Sequence, residues 1–332
     1  MNFPPLRLKN LLVRPPLFLA PMAGITHSAF RRLVSDFGGH GALFTEMLSG
    51  KALLHEKIGD TPFTIKRPQE GIVWYQLALS GEEDIFRIID KLKAVGPAAL
   101  DVNAACPAPE VLPRGYGASL FRDAARLARV LKTVRGAWDG VLTVKCRIGD
   151  DNEKWRETFR ERMKLFEDSG VDAVFVHPRY FNEKLKHRAR WELFEWICGQ
   201  TSLPVIASGD IDGADALSAH SDLFADVSGI MIGRIAVVKP WIFRDFGKDP
   251  APIDYAAVWE TFHAYVLEDF PLEKAIGRIK EFTKYFAQNF QFGHELASRV
   301  QSATSLETLH ERAMAFFSSH PAITQRPSVA GL

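Results

Sequence analysis

GIVWYQLALSGEEDIFRIIDKLKAVGPAALDVN, residues 71 to 103, is the stretch from which the fold can be read. IVWYQLAL (72 to 79) is a short continuous apolar run, the mark of a strand buried on both faces. EEDIFRIIDKLKAV then sets apolar residues three and four apart, as a helix with one buried face requires. ALDVN (99 to 103) returns to a strand, so the segment is a parallel βα unit running into the next one.

Outward from this unit the alternation repeats. Further strands are expected at LFLA (17 to 20), GALFTE (41 to 46), VLTVKCR (141 to 147), AVFVH (173 to 177), PVIAS (204 to 208) and GIMIG (229 to 233), with DAARLARVLKTVR as another amphipathic helix. Eight such units in about 245 residues fit a TIM (β/α)8 barrel. A doubly wound sheet is the alternative, but its early Gly-x-Gly-x-x-Gly turn is missing. Past KPWIFRDFGKDPAPIDY, where Pro240, Gly247, Pro250 and Pro252 punctuate the chain, no strand signal follows. YAAVWETFHAYVLEDF, LEKAIGRIKEFTKYFAQNF and SLETLHERAMAFFSS read as helices. The expected division is a barrel over 1–247, a small all-helical C-terminal domain over 248–320 and a flexible tail over 321–332.

Composition bounds the function. With 41 Lys and Arg against 40 Asp and Glu the net charge is +1, so any basic surface has to be local. Cys106, Cys146 and Cys198 show neither disulfide nor metal-ligand spacing, and the opening residues carry no cleavable signal, which points to a reducing cytoplasm and no metal. No segment approaches the roughly 20 apolar residues of a membrane span.

Barrel active sites gather at the carboxyl ends of the strands. There the sequence puts Pro21 and Met22, Glu46, Gln76, Asn103 and Cys106, Lys145 and Arg147, His177 and Arg179, Ser208, Gly209 and Asp210, and Gly233 and Arg234. Singly, each has a structural reading: Lys145 could snorkel, His177 could sit satisfied in the core, Gln76 could cap a backbone group. Together on one face they point to an active site. Gly209 and Gly233, after the last two strands, open space for an anion beside the permanent cation of Arg234, so a phosphate-bearing ligand is expected. DVNAACPAPEVLPRGYGASLFRD (101 to 123) reads as an exposed loop carrying a thiol, with Gly115 and Gly117 expected to let it move.

These residues resemble the tRNA-dihydrouridine synthases. LAPMAGITHSAFRRL is similar to the family's opening LAPM-x-G-x-T-x-x-x-F-R, and DVNAACPAPEVLPRGYGASL to D-x-N-x-G-C-P followed by R/K-x-G-x-G-x-x-L. VLTVKCRIG is similar to V-K-x-R-x-G, PVIASGDI to PVIANGDI, and IMIGRIAVVKPWIF to V-M-I-G-R-x-x-x-x-P-W-x-F. GRIKEFTKYFAQNF is a weaker echo of a helix in the family's RNA-binding domain. The resemblance implies an FMN enzyme, reduced by NADPH, that saturates the 5,6 bond of uridine in tRNA. Pro21, Met22, Ala23, Gln76, Lys145, His177, Ser208, Gly209, Asp210, Gly233 and Arg234 would contact FMN. Cys106 would deliver the proton to C5, with Lys145 and His177 beside it in the catalytic set and Asn103 and Arg179 gripping the base. RNA would meet Lys184, Lys186 and Arg188 after the sixth barrel strand, and Arg278, Lys280, Lys284 and Arg299 on the helices.

Three positions depart from the pattern: Ala105 for Gly, Pro178 for the Gly of His-Gly-Arg, and Ser208 for the Asn of ANGD. Pro178 removes a backbone donor and stiffens the loop. From residue 251 onward acidic residues outnumber basic ones, nine to seven, which counts against a uniformly basic helical region. The expected working form is a cytoplasmic monomer on tRNA. Two alternatives remain: an FMN-dependent reductase of a small pyrimidine or enoate, and an RNA-binding paralogue that has lost catalysis.

Overall fold

The computed structural model describes residues 3–185, 187–325 and 327–329. Two short antiparallel strands, β1 (Leu6–Leu8) and β2 (Leu11–Val13), precede the barrel. The barrel strands are β3 (Leu17–Leu19), β4 (Leu43–Ser49), β5 (Val73–Ala78), β6 (Ala99–Ala104), β7 (Val141–Gly149), β8 (Ala173–Tyr180), β9 (Val205–Ser208) and β10 (Gly229–Ile232). They pair in parallel around the ring, β10 lies beside β3, and a parallel bridge between Phe18 and Ala42 brings β3 to the β4 edge. All eight expected strands are present, and the fold is a TIM barrel.

The helices of the barrel are α1 (Ser28–Phe37), α2 (Gly50–His55), α3 (Ile85–Lys93), α4 (Ala118–Arg122), α5 (Ala124–Ala137), α6 (Trp155–Asp168), α7 (Phe194–Cys198), α8 (Ala214–Ala219) and α9 (Arg234–Val238). Asp84 and Asp123 start α3 and α5 by accepting hydrogen bonds from the amides of Arg87 and Arg126, which satisfies orphan donors of the first turn. Ile85, Ile88, Ile89 and Leu92 form the buried stripe of α3, as their spacing predicted.

α10 (Tyr255–Asp269), α11 (Leu272–Phe286), α12 (Gly293–Gln301) and α13 (Leu306–Phe317) form the helical C-terminal region. Their hydrophobic core is continuous with that of the barrel. Phe30 of α1 contacts the rings of Phe262 and Phe282, and the Asn289 amide donates to the Val238 carbonyl at 2.6 Å. Arg32 lies over the Tyr265 ring and pairs with Glu268, while Arg67 pairs with Asp269. α12 was not singled out in the sequence.

Two features differ from expectation. The β1–β2 hairpin was not foreseen, because three-residue strands are too short to show a period; Leu6, Leu8 and Val13 join the aromatic cluster inside the barrel. The described residues of the tail are tethered rather than frayed. Gln291 donates to the Ala322 carbonyl at 2.9 Å, Thr324 to that of Asn289 at 2.8 Å, and Arg234 to that of Val329 at 3.0 Å. The first two are backbone pairs and the third comes from a side chain far away in sequence, so none leaves a local period to read.

Candidate active site

Alternation along a strand decides which side chains enter the barrel. Phe18, Phe44, Trp74, Ala99, Val141, Ala173, Phe175, Ile206 and Met231 make one cluster inside it, and their neighbours in sequence face the helices. Two residues further along, the same inward rows turn polar. Trp74 is followed by Gln76, Ala99 by Asp101 and Asn103, Val141 by Thr143, Lys145 and Arg147, Phe175 by His177 and Arg179, and Ile206 by Ser208. The change falls at the carboxyl end of the strands, where barrel sites lie.

A cavity of about 170 Å³ at this end is lined by Pro21, Met22, Lys145, His177, Ser208, Gly209, Asp210, Gly233 and Arg234, together with Arg179, Leu185 and Val329. Nine of the eleven residues expected to contact FMN are therefore brought together, with Arg179 beside them, whereas Cys106 and Asn103 do not line the cavity. Ala23 is exposed, whereas Gln76 is buried deeper in the barrel, and neither lines the cavity. Gly209 sits at φ +111°, and a Cβ there would lie 2.9 Å from the His177 ring, so close approach enforces the glycine.

Cations dominate the electrostatics. Burial brings the Lys145 ammonium down to about 8, and among the described residues no protein acceptor hydrogen-bonds it. Arg147 is lowered to about 10 by burial, and Arg234 is lowered for the same reason. His177 is held well below its ordinary value, first by burial and then by Lys145, Arg147, Arg179 and Arg234. It is therefore neutral, and its Nε2, 2.6 Å from Arg179 Nη1, has to be the acceptor. Arg179 also donates to the carbonyls of Leu185 and His187 and to Asp210 Oδ2, the last at 2.5 Å. Asp210 in turn accepts from the Ala189 amide and lies 3.6 Å from Arg234. Arg179 and Asp210 thus tie the loop after β8 to the loop after β9.

Cys106, half-buried, begins the loop after β6. Its amide donates to Asn103 Oδ1 at 3.0 Å and its carbonyl accepts from Ala118 at 2.9 Å. Gly117, at φ +58°, would place a Cβ 2.3 Å from that carbonyl. This glycine serves contact between the two ends of the loop, whereas the sequence suggested freedom to move. Ala78, Val111 and Tyr116 form an apolar patch against which Cys106 packs.

A dihydrouridine synthase (Dus) family model matches residues 18–318, which takes in the barrel and its polar mouth. The chain belongs to the dihydrouridine synthase family. It is an enzyme of that family and is similar to a probable tRNA-dihydrouridine synthase 1 of Synechocystis sp., at 30% identity over 91% of this chain and 86% of the relative. With the tRNA-dihydrouridine synthase B of Shewanella oneidensis it shares 31% identity over 77% of this chain and 79% of that protein. Among solved structures, morphinone reductase matches with a TM-score of 0.55 at 13% identity, covering 78% of this chain and 92% of that one. The old yellow enzyme of Trypanosoma cruzi matches at 0.53 and 11%, covering 80% and 96%. At such identities the likeness is one of fold.

In this dihydrouridine synthase the two expected basic surfaces differ. Lys184 and Arg188 are exposed, and among the described residues neither side chain has a partner; Lys186 lies outside the described residues. Arg190, between them and α7, is held by both oxygens of Glu183. On the helices, Arg278 turns inward, donating to the Gly24 carbonyl and lying over the rings of Phe63 and Phe270. Lys280 donates to the Ala303 carbonyl, Lys284 pairs with Glu281, and Arg299 pairs with Glu295. Arg147 belongs to the mouth but was not assigned a role from sequence. Its place two residues beyond Lys145, on the same inward row, was the available signal.

Proposed function

We propose that this chain reduces the 5,6 double bond of a uridine in tRNA, with flavin mononucleotide at the barrel mouth and NADPH as reductant. The observation that carries the reading is the Lys145 ammonium in the polar cavity, unpartnered among the described residues, with the half-buried thiol of Cys106 close enough to act on its charge from the loop that follows the neighbouring strand β6. The donor set fits the cofactor. Among the described residues the amides of Gly209, Asp210 and Gly233 donate to no protein acceptor, and Arg234 stands beside them, as a phosphate requires. Pro21, Met22, Lys145, His177 and Ser208 would hold the remainder. When bound, the flavin supplies the hydride that C6 of the base receives.

The chain's own residues do the rest. Cys106 passes its proton to C5, a contribution worth roughly 10² to 10⁴ in rate. Lys145 places positive charge where negative charge develops. Neutral His177, accepting from Arg179, presents its Nδ1–H as a donor. Arg179 and Asn103 commit their polar groups inside the protein. Grip on the base therefore falls to Arg147, whose Nη1 donates to the Tyr180 and Glu183 carbonyls while, among the described residues, Nε and Nη2 have no acceptor. Lys184 and Arg188 offer free cations to a phosphate backbone, and a base in folded RNA has to be extruded to reach the mouth. Free cations at the rim and the helical region favour this reading over reduction of a small metabolite, which needs neither. The reading carries with it a cytoplasmic monomer.

Reductant consumption with undermodified tRNA, compared with free uridine, tests the proposal when dihydrouridine is counted by mass spectrometry. Dihydrouridine in the tRNA and none in free uridine is the expected result. Turnover of free uridine alone would establish the small-molecule reductase instead.

A further inference from the structure

Asp101 lies on β6 in the inward row below Asn103 and is fully buried. From the Cys106 loop inward, a chain of hydrogen bonds ends on it. The amides of Ala105 and Cys106 can only donate, and both point at Asn103 Oδ1, at 3.1 and 3.0 Å. That turns Asn103 Nδ2 toward Gln76 Oε1, at 2.8 Å, and turns Gln76 Nε2 toward Asp101 Oδ2, also at 2.8 Å. Each amide has one orientation that satisfies both neighbours, so the series demands an acceptor at position 101. Thr143 Oγ1 holds the other carboxyl oxygen at 2.7 Å. Because a hydroxyl can donate or accept, a proton on Oδ1 leaves Oδ2 free to accept from Gln76.

We propose that Asp101 is a positioning residue for the Cys106 thiol, acting through the side-chain amides of Gln76 and Asn103. The inference rests on Cys106 being the proton donor of the proposed reaction. An apolar residue at 101 would leave Gln76 Nε2 without its acceptor inside the barrel. A buried donor orphaned in this way keeps its full desolvation penalty, and rotation of Gln76 to avoid the cost would put like groups against Asn103. The Asn103 amide and the start of the Cys106 loop would then lose their fixed orientation. Asparagine at 101 still offers an oxygen to Gln76, with its nitrogen facing the Thr143 hydroxyl, so it preserves the series.

The test is a double-mutant cycle on FMN-loaded enzyme, with Asp101→Val, Asp101→Asn and Cys106→Ala, together with amide hydrogen exchange at Ala105 and Cys106 in the ligand-free protein. Expected are a loss of about tenfold or more in uridine reduction for Asp101→Val and faster exchange at both amides. Asp101→Asn should stay within about threefold of wild type. In the Cys106→Ala background Asp101→Val should remove less than about twofold more, because the group it positions is gone. A loss for Asp101→Val that persists undiminished in that background, an Asn variant as impaired as the Val one, or unchanged exchange in the Val variant would overturn the inference. Wild-type turnover by Cys106→Ala would remove the proton donor and this inference with it. Exchange still reads the hydrogen-bond series in that event, so the two failures are separable. Asp101→Ala, which removes the acceptor without adding bulk, replaces the valine variant if that does not fold.

Discussion

At its amino-terminal end the barrel interior is filled by Phe18, Phe44, Trp74 and Phe175, whose rings meet edge-on or stacked at centroid distances of 5.0 to 5.8 Å. At the other end the same strands hold Gln76, Asp101, Asn103, Lys145, Arg147, His177 and Arg179. The first arrangement is closed and apolar, and Leu6, Leu8 and Val13 pack onto it. The second gathers cations that cost stability to bury and leaves Lys145, among the described residues, without a protein acceptor. Division of labour along one set of strands follows: the aromatic end carries the stability, and the polar end spends some of it on chemistry.

The comparison breaks most visibly at Cys106. Cys106→Ala should lower dihydrouridine formation by roughly 10² to 10⁴ while flavin content and thermal stability stay at wild-type levels. Turnover within a few-fold of wild type would remove the thiol from the reaction. At the opposite end, Trp74→Ala should cost about 3–5 kcal/mol of stability through the cavity it leaves, measured by denaturant unfolding. A cost below about 1 kcal/mol would mean that the aromatic plug is not what holds the barrel together.

Lys145 joins the two properties. Lys145→Met should weaken flavin retention by about tenfold or more, the scale of one hydrogen bond to a charged group. The variant should also remove a pH dependence. The folded ammonium is lowered from 10.5 to about 8, so between these values the unfolded chain binds more protons and the stability of the ligand-free protein rises with pH. The methionine variant should lack that rise, and an identical profile in both proteins would show that Lys145 titrates normally. The smallest effect is at the rim. Removing Lys184 and Arg188 together should lower the slope of log affinity for tRNA against log salt by about 2, at most one per cation. Neutralising Arg278, Lys280 and Lys284 should change it less, because their side chains already have partners. A larger change from the helix residues would reverse the assignment.

Much of the fold was legible because strand and helix periods are local properties. IVWYQLAL, EEDIFRIIDKLKAV and ALDVN carry them openly, and the eight strands fall where the apolar runs lie. The β1–β2 hairpin and the tethering of the tail were not legible, since one is too short to show a period and the other depends on hydrogen bonds with distant residues. Of the site, residues at strand ends could be named from position alone. Their commitments could not. Arg179 and Arg278 have the residue type of ligand-binding arginines, yet the first braces His177 and Asp210 and the second braces the loop at Gly24.

By itself the sequence determined the βα alternation, the helical region after Pro240, the cluster of polar strand ends and the thiol in a proline-rich loop, because each depends on neighbours within a few residues. Tertiary structure decided which cations remain free and which are spent, why Gly117 and Gly209 are glycines, and that Asp101 terminates a hydrogen-bond series beginning at Cys106. Those properties depend on atoms from different strands meeting within about 3 Å, a condition that only the closed barrel creates.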